Sequence, residues 1–294
     1  MNSLVDKIRK EGFLVSDGAW GTMLQTRGLQ PEECPELWNV ERRSDIVTVA
    51  GQYVRAGVDM ILTNSFGAHP LKLAHYGLAA RTAELNEAAA ALSREAAGYA
   101  IVLGSMGPCG VLLMTEAVSE QEVYDGFAVQ AAALKRGGVD ALCIETMSGI
   151  DEASLAVRAA KEAAGLEIVC TFTFDRTVTG EYRTMMGVSP ADSVRAMRET
   201  GVSIVGSNCG NGFVQMREIV AEMRQSDASV PILVHANAGR PQYRDGTTVY
   251  PETPEIVKSI VPSLVAAGAN IIGGCCGTTP DHIRAIVEYR ESVR

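Results

Sequence analysis

Ala267-Gly268-Ala269-Asn270-Ile271-Ile272-Gly273-Gly274-Cys275-Cys276-Gly277-Thr278-Thr279-Pro280 contains one complete strand-to-helix unit with its punctuation. Gly268 suits the left-handed residue that closes a helix. Ile271 and Ile272 open a short strand that is apolar on both faces, as in a buried parallel sheet. A glycine-rich turn then carries two adjacent thiols, and Thr279 followed by Pro280 fits an N-cap and first helical position. The same punctuation recurs backwards along the chain. Gly57, Gly98, Gly138, Gly165 and Gly201 each close a helical stretch and precede an apolar run. Eight runs are predicted as strands: 13–17, 60–65, 100–105, 141–146, 168–174, 203–209, 232–237 and 270–275. Helical periodicity fills the gaps, for example over 151–164 and 213–224. Ser119 and Glu122 have the spacing of a capping box, and Pro254 follows Thr253 at another helix start. Eight strand–helix units predict one closed (β/α)8 (TIM) barrel covering residues 1–294. The first strand-to-helix turn, Asp17 to Gly21, lacks the G-x-G-x-x-G of an open dinucleotide-binding sheet. Longer excursions are expected at 175–187 and 240–253.

Composition narrows the class. At 47% hydrophobic and 21% charged, the chain can bury a sizeable core. Asp and Glu number 35 against 26 Lys and Arg, and the net charge of −9 argues against nucleic acid as a partner. Residues 1–12 are polar and charged, unlike a secretory signal. No apolar run approaches the roughly 20 residues of a membrane span. Seven scattered cysteines fit a reducing cytoplasm better than a disulfide framework.

Chemistry in such a barrel collects at the C-terminal strand ends. Polar residues stand at nearly every one: Asp17, Asn64, Ser105, Glu145, Asn208 with Cys209, Asn237, and Cys275 with Cys276. A bare Cys-Cys pair is more often two small buried residues in a tight turn. Cys209, a third thiol at another strand end, reverses that reading. Three thiolates from two strand ends make a soft-metal site, with zinc the expected ion. Cys143 and Cys170 lie within strands as core residues, and Cys34 and Cys109 have no metal-like spacing, so the site is read as open. Zn2+ held by three thiolates is a poor Lewis acid. It can still keep an incoming thiol ionised at neutral pH, which suits alkyl transfer to sulfur. Glu145 and Asp17 would be buried carboxylates in need of a cation. Together with backbone N–H groups near Gly18 or Ser105 for a carboxylate, they describe a site for a thiol amino acid.

These segments resemble the zinc-dependent homocysteine S-methyltransferases over nearly the whole chain. The resemblance is carried by Asp17-Gly18-Ala19-Trp20-Gly21-Thr22-Met23, Thr63-Asn64-Ser65-Phe66-Gly67-Ala68, Gly107-Pro108, Ile144-Glu145-Thr146, Ser207-Asn208-Cys209, Asn237-Ala238-Gly239 and Gly273 through Pro280. Within the family the chain is most similar to the homocysteine-binding barrel of cobalamin-dependent methionine synthase. The resemblance implies Cys209, Cys275 and Cys276 as zinc ligands and Asp17 and Glu145 as contacts to the homocysteine ammonium. It implies Asn237 at the fourth zinc position until substrate sulfur displaces it, with Asn64 and Asn208 in the pocket lining. His235-Ala236 departs from the proline usual before that asparagine, and Cys109 replaces a frequent threonine after Gly-Pro. Only 18 residues follow Cys276, and no D-x-H-x-x-G corrinoid signature is present. The expected methyl donor is therefore methylcobalamin on a separate corrinoid protein, with S-methylmethionine as the alternative and another small thiol as an alternative acceptor.

Overall fold

Aliphatic runs bounded by glycine form the strands, and all of the main ones are parallel. The computed structural model describes residues 3–293 apart from 116 and 245. Its strands are Leu14–Val15 (β1), Met60–Leu62 (β2), Ile101–Met106 (β3), Ala141–Met147 (β4), Glu167–Phe172 (β5), Ile204–Gly212 (β6), Ile232–Asn237 (β7) and Ile271–Gly274 (β8). Neighbours in sequence are neighbours in the sheet. β1 pairs with β8 through Leu14 and Ile271, and a bridge from Ser16 to Met60 joins β1 to β2, so the sheet closes. This is the (β/α)8 barrel expected from the repeat. The strand ends differ in detail: β6 continues past Cys209 to Gly212, whereas β8 stops at Gly274, before the two thiols.

Period-two alternation divides each strand between two cores. Leu14, Met60, Leu103, Ala141, Cys143, Val169, Ile204, Leu233 and Ile271 fill the inside of the barrel. Val15, Ile61, Val102, Leu142, Cys170 and Val234 face outward into the layer packed under the helices. Burial on both faces explains why the runs read as continuously apolar. All six helix-closing glycines named above have positive φ, from 56° at Gly98 to 108° at Gly268. A Cβ in that conformation is strained, so these positions punctuate the repeat physically. The capping box at Ser119 forms, with the Ser119 backbone N–H donating to Glu122 at 2.9 Å.

One element was not anticipated. Leu4–Glu11 (α1) is an amphipathic helix whose Leu4 and Ile8 join the interior cluster. The Leu4 backbone N–H donates to Glu167 Oε2 at 2.7 Å, at the start of β5. This helix plugs the N-terminal end of the barrel and leaves the opposite end for chemistry. Both expected excursions are small antiparallel hairpins: Asp175–Arg176 with Tyr182–Arg183, and Gln242–Arg244 with Thr247–Val249. Residue 245, inside the second excursion, lies outside the described residues. Among the described residues, no helix is long and apolar enough to cross a membrane.

Candidate metal centre and substrate pocket

Cys209 reaches the site because β6 breaks its ladder there. Register with β7 shifts between Asn208 and Gly212, and Cys209 takes a φ of 59°. Adjacent residues of a regular strand point to opposite faces, so Cys275 and Cys276 need a turn to converge. β8 ends one residue earlier, and Gly277 turns the chain at φ 79°. The turn is tied to β7 and its following loop, since Cys275 N donates to Ala236 O at 2.6 Å and Ala238 N to Cys276 O at 3.0 Å. Thr278 Oγ1 also donates to Cys275 O, at 2.6 Å. The Tyr250 ring covers the turn so closely that a Cβ on Gly277 would lie 2.2 Å from it.

The three sulfur atoms lie within 4.8 Å of one another. The neighbouring sulfurs of Cys209 and Cys275 hold the Cys276 thiol low, and the same contacts with Cys209 and Cys276, helped by burial, push Cys275 well above the usual range. One thiolate is thus settled at the expense of its neighbours, a conflict that a cation would relieve. Among the described residues, no further Cys, His or carboxylate joins the group. Cys34 bonds instead to Glu36 Oε2 and Cys109 to Val111 O, both at 3.3 Å. Asn237 Oδ1 is buried without a hydrogen-bond partner. A convergent soft donor set with one orphaned oxygen at the next strand end fits zinc.

The thiols line one wall of a cavity of about 260 Å³, a size suited to a metabolite rather than a larger ligand. Of the residues singled out from the sequence, Gly18, Asn64, Ser105, Glu145 and Asn208 line it together with the three cysteines. Asp17 lies behind the wall. Its carboxylate accepts Leu62 N at 2.9 Å, Trp20 Nε1 at 3.0 Å and Ser16 Oγ at 3.1 Å, pinning the first two strands together. Asn64 turns its amide outward to Pro35 O and Asn39 Oδ1. The backbone N–H of Ser105 is taken by Thr63 Oγ1 at 2.9 Å, so it is not a free donor for a substrate carboxylate. Ser105 Oγ instead donates to Glu145 Oε1. Burial lifts both Asp17 and Glu145 to about 7, and for Glu145 the nearby Asp17 adds to the effect. Among the described residues, no Lys or Arg lines the pocket. A larger groove of about 600 Å³ lies on the helical flank around Arg158 and Lys161, and no thiol lines it.

The sequence model of the family described as "Homocysteine S-methyltransferase" matches residues 14–290. The chain belongs to this family. Methionine synthase of Mycobacterium leprae is 32% identical over 293 residues, covering 93% of this chain and 24% of the relative. Methionine synthase of Mycobacterium tuberculosis is 32% identical over 299 residues, covering 95% and 25%. The chain thus spans about a quarter of the length of these curated relatives. Among solved structures, the metallated form of the homocysteine methyltransferase MmuM from Escherichia coli superposes with a TM-score of 0.78 at 26% identity, covering 97% of this chain and 99% of that one.

In this homocysteine S-methyltransferase family member the pocket includes residues that pattern reading missed. Thr146 has a φ of 65°, which for a β-branched residue is costly. Thr146 and Cys209 are the two non-glycine residues with positive φ among those described, and both line the pocket. Asn208 holds Thr146 in place: its Oδ1 accepts Thr146 N at 2.8 Å and its amide donates to Thr146 Oγ1 at 2.7 Å. Thr171 Oγ1 donates to the same Oδ1 at 2.6 Å, and the Asn208 amide reaches Glu145 Oε2 at 3.5 Å. Glu36, also lining, accepts Gly67 N at 2.6 Å and is fixed by long-range folding that no local pattern signals. His235 lines the pocket as well, and burial lowers its imidazole to about 3, so it is neutral.

Proposed function

We propose that residues 1–294 act as one homocysteine-binding barrel that activates the thiol of homocysteine for methylation to methionine. The observation that carries this reading is the sharing of one small cavity by three converged thiols and a buried Glu145, with no Lys or Arg in the lining among the described residues. Cys209, Cys275 and Cys276 would hold zinc. The ion, when bound, supplies a position at which a thiol is kept as thiolate near neutral pH. Glu145, aimed by Ser105 and Asn208, takes the substrate ammonium, and the buried charge of the carboxylate is thereby matched. Asp17 keeps the wall beside Gly18 in register and adds negative potential behind it. Fixing both ends of the amino acid orients the sulfur, which is where most of a transfer reaction's advantage arises.

The donor we favour is a methylated corrinoid, methylcobalamin, carried by a separate protein, in keeping with the similarity to methionine synthases. A free sulfonium donor such as S-methylmethionine is the second reading, favoured by the match over 99% of the E. coli MmuM chain. All seven cysteines are free, and we place the protein in a reducing cytoplasm, which would keep the zinc-binding thiols available. The test is methionine formation from homocysteine with methylcobalamin, S-methylmethionine or betaine, alongside zinc analysis. Turnover with a corrinoid donor that disappears on chelation is expected. Failure to bind homocysteine, or turnover that survives full zinc removal, refutes the proposal.

A further inference from the structure

We propose that Tyr250 is a positioning residue of the metal centre, its hydroxyl donating a hydrogen bond to the Cys276 sulfur that keeps this ligand from taking the methyl group itself. The inference rests on the zinc and homocysteine reading above. Tyr250 follows the hairpin of Gln242–Arg244 and Thr247–Val249, beyond the end of β7. Its ring is half-buried and lies against Gly277, where a Cβ would come within 2.2 Å of Cγ and 2.4 Å of Cδ2. Glycine at 277 thus makes room for the ring as well as turning the chain. The hydroxyl is hydrogen-bonded to Cys276. The next two residues are pinned to the three strand ends that build the site. Pro251 lies against Gly239, where a Cβ would be 2.9 Å from its Cδ. Glu252 N donates to Ala238 O at 2.9 Å, and Glu252 Oε2 accepts Phe213 N at 2.9 Å, just past the end of β6. The Glu252 carbonyl accepts His282 Nε2 at 2.8 Å, from the helix that follows the two thiols. The ring is thereby tied to β6, β7 and the turn after β8 at once.

A site that alkylates one sulfur in the presence of three others has to discriminate among them. All three cysteines line the same cavity, and each, as a thiolate, is itself a nucleophile toward the donor's methyl group. Methylation of a ligand would turn it into a neutral thioether and weaken its hold on the ion. A hydrogen bond to a thiolate occupies a lone pair and draws charge off the sulfur, which makes it a poorer attacking group. Cys209 receives the backbone N–H of Gly210. Among the described residues, no side-chain hydroxyl other than that of Tyr250 is hydrogen-bonded to the three sulfurs. Tyr250 is therefore the donor that a substitution can remove, and Cys209 and Cys275 serve as references within the same molecule.

The test exposes the zinc-loaded full chain, without homocysteine, to methyl iodide and follows methylation of each cysteine by mass spectrometry. The reaction forms a carbon–sulfur bond and breaks the carbon–iodine bond, iodide leaving with the electron pair. Tyr250→Phe keeps the ring over Gly277 and removes the hydroxyl alone. Cys276 is expected to react about 10-fold faster in this variant, part of the worth of a hydrogen bond to a charged group, while Cys209 and Cys275 stay within about twofold of the parent. With cobalt(II) in place of zinc, the variant should show its sulfur-to-metal charge-transfer band at lower energy than the parent, a shift that lost packing alone would not produce. An unchanged Cys276 rate or an unmoved cobalt band overturns the proposal. So does equal acceleration of all three cysteines, or a variant that no longer holds zinc, since either marks a loosened turn. A parent protein that binds no zinc overturns the metal reading itself and this inference with it.

Discussion

Replacing Glu145 with glutamine should make the ligand-free protein more stable above neutral pH while removing its grip on homocysteine. Burial lifts this carboxyl from an ordinary 4.5 to about 7. A carboxyl whose pKa is higher folded than unfolded takes up a proton on folding. Its contribution to stability is complete below pH 4.5 and is lost as pH rises through about 7. At about 1.36 kcal/mol for each pKa unit, the ionised group costs the folded state about 3 kcal/mol at high pH. Glu145→Gln keeps an oxygen for Ser105 Oγ and cannot ionise, so it escapes that cost. At about 2 °C for each kcal/mol in a chain of this size, its melting temperature near pH 8.5 should exceed the parent's by about 6 °C. Near pH 5 the two proteins should melt within about 1 °C of each other, because the parent is then protonated. Homocysteine should narrow the gap at high pH, since its ammonium stabilises the ionised parent and finds no counter-charge in the variant. Scanning calorimetry across this pH range, with and without homocysteine, makes the measurement. Parallel melting curves for the two proteins, or a variant less stable than the parent at high pH, would refute the assignment of Glu145 as an uncompensated buried acid.

Three other outcomes follow from the same contacts. Cys276→Ala should lose stoichiometric zinc together with methyl transfer, as read by metal analysis beside the activity assay; zinc retained at full occupancy would remove Cys276 from the ligand set. Asn208→Ala strips the partners from Thr146 N and Thr171 Oγ1 and should cost about 3 kcal/mol in urea unfolding, with weaker homocysteine binding because Glu145 loses its brace. An unchanged unfolding midpoint would show that Thr146 holds its conformation without it. Ile8→Ala, at the plugged end, should cost about 2 kcal/mol and leave zinc and homocysteine affinity unchanged. A fall in either affinity would mean that the two ends of the barrel are coupled.

What could be read from the chain alone follows the range of the forces involved. The eight strands were legible because burial on both faces leaves each an uninterrupted apolar run, and because the glycines between them answer a local need for positive φ. The three thiols were legible because an adjacent pair and a third at another strand end leave few alternatives. The α1 plug was not, since Leu4 and Ile8 alone mark its buried face among charged neighbours. Asp17 has the residue type of a ligand contact, and its carboxylate also accepts hydrogen bonds from Leu62, Trp20 and Ser16, a structural commitment visible only once three segments meet. Thr146 was the least accessible, because local preference opposes the conformation that it adopts.

That opposition is concentrated where the chemistry is proposed. The ladder shifts register at two places, after Ile144 on β4 and after Asn208 on β6, and each shift releases one functional side chain from the strand pattern, Glu145 in one case and Cys209 in the other. Asn208 immediately precedes the thiol and grips the residue that follows the acid. Its amide therefore links the strained backbone on β4 to the strained backbone on β6 across the intervening β5, where Thr171 supplies the third anchor. A sulfur placed by the cysteines and an ammonium placed by Glu145 must keep a fixed separation for one small molecule to meet both. A single side chain bonded next to both bulges can set that separation, and three hydrogen bonds of 2.6 to 2.8 Å are enough to hold a β-branched residue where its own preference would not.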